Sequence, residues 1–220
     1  MKAVACFSGG KDSTYAAFLA LQMGFEIEQA LIFIPESRES YMFHSPNIVH
    51  AGTVAGCMGL EPVIVEVHGD ELACIARAFE AVDADYIITG AIASEYQHER
   101  FGYAAYSAGK HCISPLWRRN QLSLLREIVD AGMRVIFVGV FAEGLSSEWL
   151  GRELDKATIE KLKELQEKYG VNPSGEGGEY ETLVVDAPFF TRKIEIGAVE
   201  VTADATSARA EIKSMWTMPK

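Results

Sequence analysis

A short glycine-rich stretch near the amino end combines residue types that bind phosphate. Its members are Ser8, Gly9, Gly10, Lys11, Asp12 and Ser13. Two glycines allow the backbone to turn sharply and approach a ligand closely. The hydroxyls add hydrogen-bond donors and Lys11 adds a full positive charge. Asp12 is the exception, because a carboxylate beside phosphates is repelled unless a metal ion or an ammonium group lies between them. The stretch therefore predicts a phosphate site that includes a cation.

The flanking residues predict the elements that must hold this loop. Residues 3–7 are a short apolar run, long enough for one buried strand, and residues 13–23 have the length and composition of a helix that ends before Gly24. The first turn of a helix has unpaired amide N–H groups and a partial positive charge, which favour a phosphate anion. We therefore expect a strand, a tight loop and a helix N-terminus.

The spacing differs from two common nucleotide-binding patterns. It is neither Gly-x-x-x-x-Gly-Lys-Ser/Thr nor Gly-x-Gly-x-x-Gly. It resembles the pyrophosphate loop of the N-type ATP pyrophosphatases, which cleave ATP between the α and β phosphates. That resemblance implies ATP as a substrate.

A second glycine-rich stretch, residues 175–182, carries negative charge. Three carboxylates, those of Glu176, Glu179 and Glu181, fall within six residues. An exposed acidic turn is the simpler reading, but a turn needs only the glycines. The alternative is a site for magnesium, an ammonium ion or a cationic substrate, and Tyr180 would add an aromatic face for a quaternary ammonium group.

Composition limits the classes of function. The chain has 220 residues, 49% of them hydrophobic, and a formal net charge of −11. The charge argues against a broad surface for nucleic acid. No apolar run could span a bilayer, and residues 1–3 lead directly into the first strand, so we expect no membrane association and a cytoplasmic protein. The four cysteines form no Cys-x-x-Cys pair, and reduced core cysteines are expected. A homodimer is left open.

The order of elements predicts an α/β fold. Strands at 27–34, 62–67, 86–90 and 134–140 follow the first strand, with helices between them, which indicates a doubly wound five-stranded parallel sheet. Asn47 and Asp70 are expected to cap helices. From residue 146 the pattern changes to a charged helix and then antiparallel strands. We therefore expect a nucleotide-binding domain at 1–145 and a smaller α+β part at 146–220.

Ligands of such sheets bind at the carboxyl ends of the strands. The residues expected there are Phe33 and Ile34 for adenine, Gly90 for close backbone approach, and the polar or charged side chains of His44, Ser94, Glu95, Gln97 and Arg100.

Several stretches together resemble one family, the diphthine–ammonia ligases, also called diphthamide synthetases. They are SGGKDS, ESYMFHSPN, GAIASEYQ with Arg100, SPLW and GEGGEYET, spread over residues 4–192. The chain lacks the additional domains of larger eukaryotic members and is similar to the archaeal form. The resemblance implies a nucleotide-binding domain of the adenine nucleotide alpha hydrolase (HUP) type. It also implies ATP-dependent amidation of diphthine, a modified histidine of translation elongation factor 2, with ammonia as the nitrogen donor.

The resemblance also implies roles for individual residues. Ser8, Gly9, Gly10 and Ser13 would hold the phosphates, Lys11 would stabilise charge on pyrophosphate, and Asp12 would bind Mg²⁺. Glu95 and Glu179 would be catalytic. Substrate would contact His44, Ser94, Gln97, Arg100, Glu176, Tyr180 and Glu181.

Two alternatives remain open from the sequence. One is an ATP pyrophosphatase that modifies tRNA, for which a basic face and often a cysteine pair would be expected. The other is a non-catalytic module that binds an adenine nucleotide.

Overall fold

The computed structural model describes residues 1–36 and 47–220, and the chain divides into two compact units, Met1–Arg118 and Arg119–Lys220. This division lies earlier than the boundary expected at residue 145. The difference arises because a strand assigned to the first domain from its sequence belongs to a sheet of the second unit.

The first unit is built on a five-stranded parallel sheet. Its strands are β1 (Lys2–Cys6), β2 (Glu26–Pro35), β3 (Glu61–Val67), β4 (Tyr86–Ile88) and β5 (His111–Ile113). They lie in the order β3-β2-β1-β4-β5, and every neighbouring pair is parallel. The predicted five-stranded parallel sheet is confirmed.

The helices of this unit cover both faces of the sheet. They are α1 (Lys11–Gln22), α2 (Ala51–Cys57, after a 3₁₀ turn at Ile48–His50), α3 (Glu71–Ala81) and α4 (Glu95–Ser107). On one face Phe33 packs in a buried cluster with Phe79 of α3 and Phe101 of α4. Its neighbour Ile32 points to the opposite face, toward Gly52 of α2. The fold is therefore doubly wound, as predicted.

The two predicted caps differ in outcome. The carboxylate of Asp70 accepts hydrogen bonds from the backbone N–H groups of Leu72 and Ala73, so it caps α3. Asn47 occupies the N-cap position of the 3₁₀ turn but makes no side-chain capping bond. The cap predicted for Asn47 is therefore wrong; its side chain is buried instead.

The second unit is α+β. Its elements are α5 (Gln121–Asp130), β6 (Arg134–Val140), α6 (Lys156–Tyr169), β7 (Tyr180–Asp186), β8 (Arg192–Ile196), β9 (Val199–Ala203), β10 (Ala208–Ile212) and β11 (Met215–Pro219), with a 3₁₀ turn at Ser147–Trp149. Four strands form an antiparallel sheet in the order β7-β6-β10-β9, and β8 pairs with β11. The smaller antiparallel part was predicted.

Two strand assignments need correction. Arg134–Val140 was expected to be the fifth parallel strand, but it is β6, and the fifth parallel strand is His111–Ile113. A buried apolar run indicates a strand but not its partner, and a three-residue strand gives almost no pattern. In addition, the apolar alternation at 193–201 and at 208–216 predicts one strand in each range, but each range spans parts of two strands.

Candidate functional site

The order of strands in the first unit creates a switch point between β1 and β4. The chain proceeds from β1 outward to β2 and β3, and then returns to β4 on the other side of β1. The loops that leave β1 and β4 therefore diverge toward opposite faces, and the crevice between them is the usual ligand site of such folds. Residues 8–13 follow β1, and Gly90 follows β4.

Gly9 gives the loop after β1 its sharp turn. Its φ angle is +75°, a conformation that side chains disfavour, and an added Cβ would lie 3.2 Å from both the Ala51 Cα and the Val54 Cγ2. Gly10, in extended conformation, is the N-cap residue of α1 and makes no side-chain cap. The first N–H groups of α1 thus have no side-chain cap at this position, which suits an anion.

Two serine hydroxyls hold the loop in shape. The Oγ of Ser13 accepts a hydrogen bond from the Ser8 backbone N–H at 3.1 Å and lies 3.1 Å from the Ser8 Oγ. It also donates to the Gly10 carbonyl oxygen at 3.3 Å. The two hydroxyls therefore lie together and brace the loop, and their phosphate-binding role stays a prediction.

Lys11 and Asp12 form a partly buried ion pair. The Lys11 Nζ donates to the Asp12 Oδ2 at 2.7 Å, and the lysine side chain is only 3% exposed. Burial raises the pKa of the Asp12 carboxyl, against the opposing effect of Lys11. The other oxygen, Oδ1, is buried and has no hydrogen-bond partner within residues 1–36 and 47–220. Because a buried unpaired carboxylate oxygen is costly, this atom is suited to bind a cation.

Gly90 brings the end of β4 against the phosphate loop. An added Cβ would lie 2.8 Å from the Ser13 backbone N and 2.9 Å from the Asp12 carbonyl carbon. No side chain fits there. Gly90 therefore packs on the first turn of α1, and its predicted close approach to a nucleotide stays a prediction.

Polar contacts link the ends of β4 and β5, and this network was missed from the sequence. The Thr89 Oγ1 lies 2.8 Å from the Ser114 Oγ, which in turn lies 3.2 Å from the His98 Nδ1. The His98 ring stacks on Trp117, with centroids 3.9 Å apart and planes 11° apart. The SPLW stretch contains Ser114 and Trp117, but it was used only as one of the stretches that carry the family resemblance. The network fixes the carboxyl edge of the sheet beside Gly90.

The polar residues after β4 open helix α4. Ser94 caps the helix by accepting a hydrogen bond from the Gln97 backbone N–H at 3.3 Å. Glu95 forms an exposed ion pair with Arg118 at 2.5 Å. Arg100 lies over the ring of Tyr96 at 4.8 Å. These contacts lie within the first unit, and the substrate contacts expected of Ser94, Gln97 and Arg100 stay predictions.

The two residues expected to contact adenine, Phe33 and Ile34, lie in different surroundings. Phe33 is 2% exposed and packs against two other phenylalanine rings in the hydrophobic core, so its ring does not line an open surface. The expectation that Phe33 contacts adenine is therefore revised to a packing role. Ile34 is partly exposed at the carboxyl end of β2, and its assignment stays a prediction. His44 lies outside the described residues.

The acidic loop of the second unit is held together by its own side chains. The Glu179 carboxylate accepts hydrogen bonds from the backbone N–H groups of Asn172 at 3.1 Å and Gly177 at 2.8 Å. Tyr180 is 5% exposed, its hydroxyl donates to the Pro173 carbonyl oxygen at 2.6 Å, and its ring packs against Phe137. The aromatic face predicted at Tyr180 is therefore buried, and that assignment is wrong.

Glu176 and Glu181 are both partly exposed and each makes further contacts. Within residues 1–36 and 47–220, no group of three His, Cys, Asp or Glu side chains is arranged to hold a metal ion. The idea that the three carboxylates bind a second metal together is not supported by this arrangement.

None of the four cysteines forms a disulfide bond, and Cys6, Cys57 and Cys74 are buried, as predicted for reduced core cysteines. Burial raises the pKa of Cys112 to about 11 and raises that of Cys6 well above its ordinary value. Both therefore stay as neutral thiols near pH 7.

In the described part of the chain, no helix is long and apolar enough to cross a membrane.

Comparisons with known proteins agree with the motifs. The model of the diphthamide synthase N-terminal domain matches residues 1–112, and that of the diphthamide synthase C-terminal domain matches residues 120–218. A diphthine–ammonia ligase of Danio rerio is 32% identical, with 96% of this chain and 92% of the relative covered. One of Schizosaccharomyces pombe is 30% identical, with 97% of this chain but 39% of the relative covered.

The Danio rerio relative shows that a short chain does not indicate the archaeal form. This chain covers 92% of that vertebrate protein, so the two are similar in length. Among solved structures, a predicted subunit of tRNA methyltransferase from Methanocaldococcus jannaschii is 16% identical with a TM-score of 0.48, covering 86% of this chain and 98% of that one. That likeness is too loose to bear on function. The two domain models, by contrast, match consecutive parts of the chain on either side of the division between its units, and the chain belongs to the diphthamide synthase family.

Proposed function

We propose that this chain catalyses the ATP-dependent amidation of diphthine on translation elongation factor 2. The observation that carries the proposal is the buried Lys11–Asp12 pair at the switch point of a chain that matches the diphthamide synthase family in both units. Ammonia is the nitrogen donor, and AMP and pyrophosphate are the other products.

The chemistry explains why a pyrophosphate loop is needed. A carboxylate is a poor electrophile, and ammonia does not displace an oxide ion from it. Attack of the diphthine carboxylate oxygen on the α phosphorus of ATP forms a carboxyl–phosphate bond and releases pyrophosphate. Ammonia then attacks the acyl carbon, AMP leaves and one proton is lost, which gives the amide.

Lys11 and the first turn of α1 would act on the first step. Negative charge develops on the pyrophosphate as it leaves, and a buried ammonium and unpaired amide N–H groups stabilise that charge without reorganising. The Ser8 and Ser13 hydroxyls and the backbone of Gly9 and Gly10 would hold the phosphates in place.

Asp12 would hold magnesium. Its unpaired, buried Oδ1 fits a cation, whereas Oδ2 is already occupied by Lys11. When bound, magnesium neutralises part of the phosphate charge.

Gly90 and Ile34 would border the nucleotide, and Ser94, Glu95, Gln97 and Arg100 would border the carboxylate or the ammonia. His44 keeps its proposed substrate role on sequence grounds alone. In the acidic loop, Glu176 and Glu181 are partly exposed and would bind the trimethylammonium of diphthine or an ammonium ion, whereas the Glu179 carboxylate accepts two backbone N–H bonds.

Mass spectrometry of the elongation factor tests the proposal. The purified chain is incubated with ATP, magnesium, ammonium and an elongation factor 2 that carries diphthine. We expect conversion of the acid to the amide, with AMP and pyrophosphate formed in equal amounts. Omission of ammonium or use of an ATP analogue with a non-hydrolysable α–β bridge should abolish it. Release of ADP, or no amide in any condition, would refute the assignment.

The two alternatives receive less support. Thiolation of tRNA often uses a reactive cysteine pair, whereas burial raises the thiol pKa values of Cys6 and Cys112 and keeps both thiols neutral near pH 7. A non-catalytic nucleotide module has no use for the unpaired carboxylate oxygen of Asp12.

A further inference from the structure

Helix α4 presents an unusual outer face. A surface helix normally shows charged and small polar side chains to water. Here three tyrosines point outward: Tyr96 is 48%, Tyr103 62% and Tyr106 81% exposed. We call these three residues the tyrosine stripe.

The opposite face of α4 is fully used for packing. Phe101, Ala104 and Ala105 are buried in the core of the first unit, and the Phe101 ring contacts Phe33 and Phe79. The core therefore fixes the rotation of the helix, and the tyrosines cannot turn inward. Their exposure is a consequence of sequence register rather than of a loose helix.

The members of the stripe are close neighbours. Tyr96 and Tyr103 are seven residues apart, which places them two turns apart on one side of the helix, and Tyr106 lies a further turn along. Arg100 lies between the first two and contacts the Tyr96 ring at 4.8 Å. Tyrosine and arginine are the residues most enriched at the energetic centres of protein interfaces.

The stripe begins at the edge of the sheet where the chemistry is proposed. Ser94 caps α4, and Gly90, four residues earlier, packs on the first turn of α1 beside Asp12 and Ser13. From Tyr96 the stripe runs away from this edge for about 15 Å, at 1.5 Å per residue. A macromolecule that places one side chain at the switch point would therefore meet the stripe.

The exposed area of the tyrosine stripe distinguishes a permanent dimer of this chain from a partner that binds only transiently. With about 200 Å² of surface per tyrosine, the exposed fractions correspond to roughly 400 Å². A stable interface needs about 800 Å² from each partner. The stripe alone is therefore too small for a permanent dimer of this chain, and it suits a partner that binds, reacts and leaves.

We infer that the tyrosine stripe docks the protein that carries the carboxylate substrate. The inference rests on the proposed function, in which that carboxylate is part of a side chain of a folded elongation factor. Such a substrate is far larger than the site, so part of its surface must rest on the enzyme beside the switch point. The tyrosines supply rigid, amphipathic contact area, and their hydroxyls remain able to exchange hydrogen bonds with water when the partner leaves.

Steady-state kinetics on a double variant test the inference. In Tyr103→Ala/Tyr106→Ala we expect the KM for the diphthine-bearing elongation factor to rise about tenfold. The KM for ATP and the kcat at saturating protein substrate should be unchanged, because neither tyrosine belongs to the proposed nucleotide site. Thermal unfolding should match wild type, since both side chains are exposed.

Two controls separate docking from general surface effects. Tyr103→Phe/Tyr106→Phe keeps the rings and should keep most of the affinity. Trp216→Ala removes an aromatic side chain of the second unit that is also half exposed, and it should leave the KM unchanged. An unchanged KM in the alanine double variant, or an equal rise in Trp216→Ala, would overturn the inference.

A direct measurement of binding tests docking on the tyrosine stripe independently of the proposed reaction. Biolayer interferometry with the immobilised elongation factor measures docking without turnover. If wild type binds and the double variant binds about tenfold more weakly, docking stands even when no amide forms, and only the proposed reaction fails. If the wild-type chain sediments as a dimer, the double variant as a monomer, and both bind the elongation factor equally, the stripe is a self-association surface and the inference is wrong.

Discussion

The two glycine-rich loops of this chain have similar composition but use their carboxylates differently. In the loop at residues 8–13 the backbone is held by hydroxyls, and the Asp12 Oδ1 has no hydrogen-bond partner among the described residues. In the loop at residues 175–182 the carboxylate is part of the scaffold, since both oxygens of Glu179 accept backbone N–H bonds. We propose that unused bonding capacity, rather than glycine and charge, distinguishes the predicted binding loop from the structural one.

The difference between the two carboxylates should affect the free energy of unfolding, which can be measured. A buried carboxylate oxygen without a partner destabilises the fold, whereas a carboxylate that accepts two backbone bonds stabilises it. We therefore expect changes in the first loop to affect activity and changes in the acidic loop to affect stability.

The largest effect is expected at Lys11. Replacement by methionine keeps the length and volume of the side chain but removes the charge that would stabilise the leaving pyrophosphate. We expect kcat for amidation to fall by about 10²–10³. Lys2→Met, at an exposed lysine on β1, serves as the control and should keep full activity. Near wild-type kcat in Lys11→Met would mean that this loop is not the pyrophosphate site.

Gly90 tests whether the close approach of β4 and α1 is required. In Gly90→Ala the new Cβ would meet backbone atoms of Ser13 and Asp12 at 2.8–2.9 Å, which cannot move without shifting the helix. We expect a loss of about 1–3 kcal/mol in the free energy of unfolding and weaker ATP binding. Urea unfolding and calorimetric titration with ATP measure these.

Gly178 in the acidic loop is the matched control. It has a φ of +85° but open space around its Cα, so Gly178→Ala adds only backbone strain, about 1 kcal/mol. ATP binding should not change. Loss of ATP binding in this variant, or its retention in Gly90→Ala, would contradict the distinction between the loops.

Glu179→Gln separates a catalytic role from a structural one. The amide retains one acceptor oxygen but turns an NH₂ group toward a backbone N–H, so one of the two bonds to Asn172 and Gly177 is lost. We expect destabilisation by about 1–3 kcal/mol, with ATP binding intact. If amidation falls while the urea midpoint is unchanged, Glu179 acts in the chemistry, as the sequence predicted. If both fall together and osmolytes restore both, it acts as a clamp.

The smallest effect is a pH dependence of stability at Asp12. Its pKa is raised by burial, so between about pH 4, the ordinary value, and the raised pKa the folded chain holds a proton that the unfolded chain has lost. The free energy of unfolding therefore falls as pH rises through this window. Urea titrations of Asp12→Asn should lack this fall.

The pKa of Asp204 is shifted in the opposite direction to that of Asp12, so its effect on stability has the opposite dependence on pH. Hydrogen bonds from Thr206 and Ser207 lower the pKa of Asp204 to about 2. Its contribution to stability is present above the ordinary pKa and is lost as pH falls toward 2. Asp204→Asn should therefore be less stable than wild type at neutral pH and approach it in acid. Equal slopes in the two variants would refute the assignment at Asp12.

Local patterns predicted much of the fold. The loop between β1 and α1, the cap at Asp70, the charged helix after residue 146 and the parallel arrangement of β1 to β4 all follow from short-range signals in the sequence. The cap expected of Asn47 and the sheet expected for 134–140 did not follow, because burial and strand partners depend on residues far away in the chain.

The sequence by itself determined the residue types available for chemistry: a strand, a glycine turn, a lysine and an aspartate in the order expected of a pyrophosphate loop. Only the tertiary structure decided which charged and aromatic groups are available for it. Glu179 and Tyr180 are engaged within their own unit, Asp12 keeps one oxygen unpaired, and three tyrosines of α4 face outward. The reason is physical: residue type fixes what a side chain can bond, whereas packing fixes whether that bond has already been made.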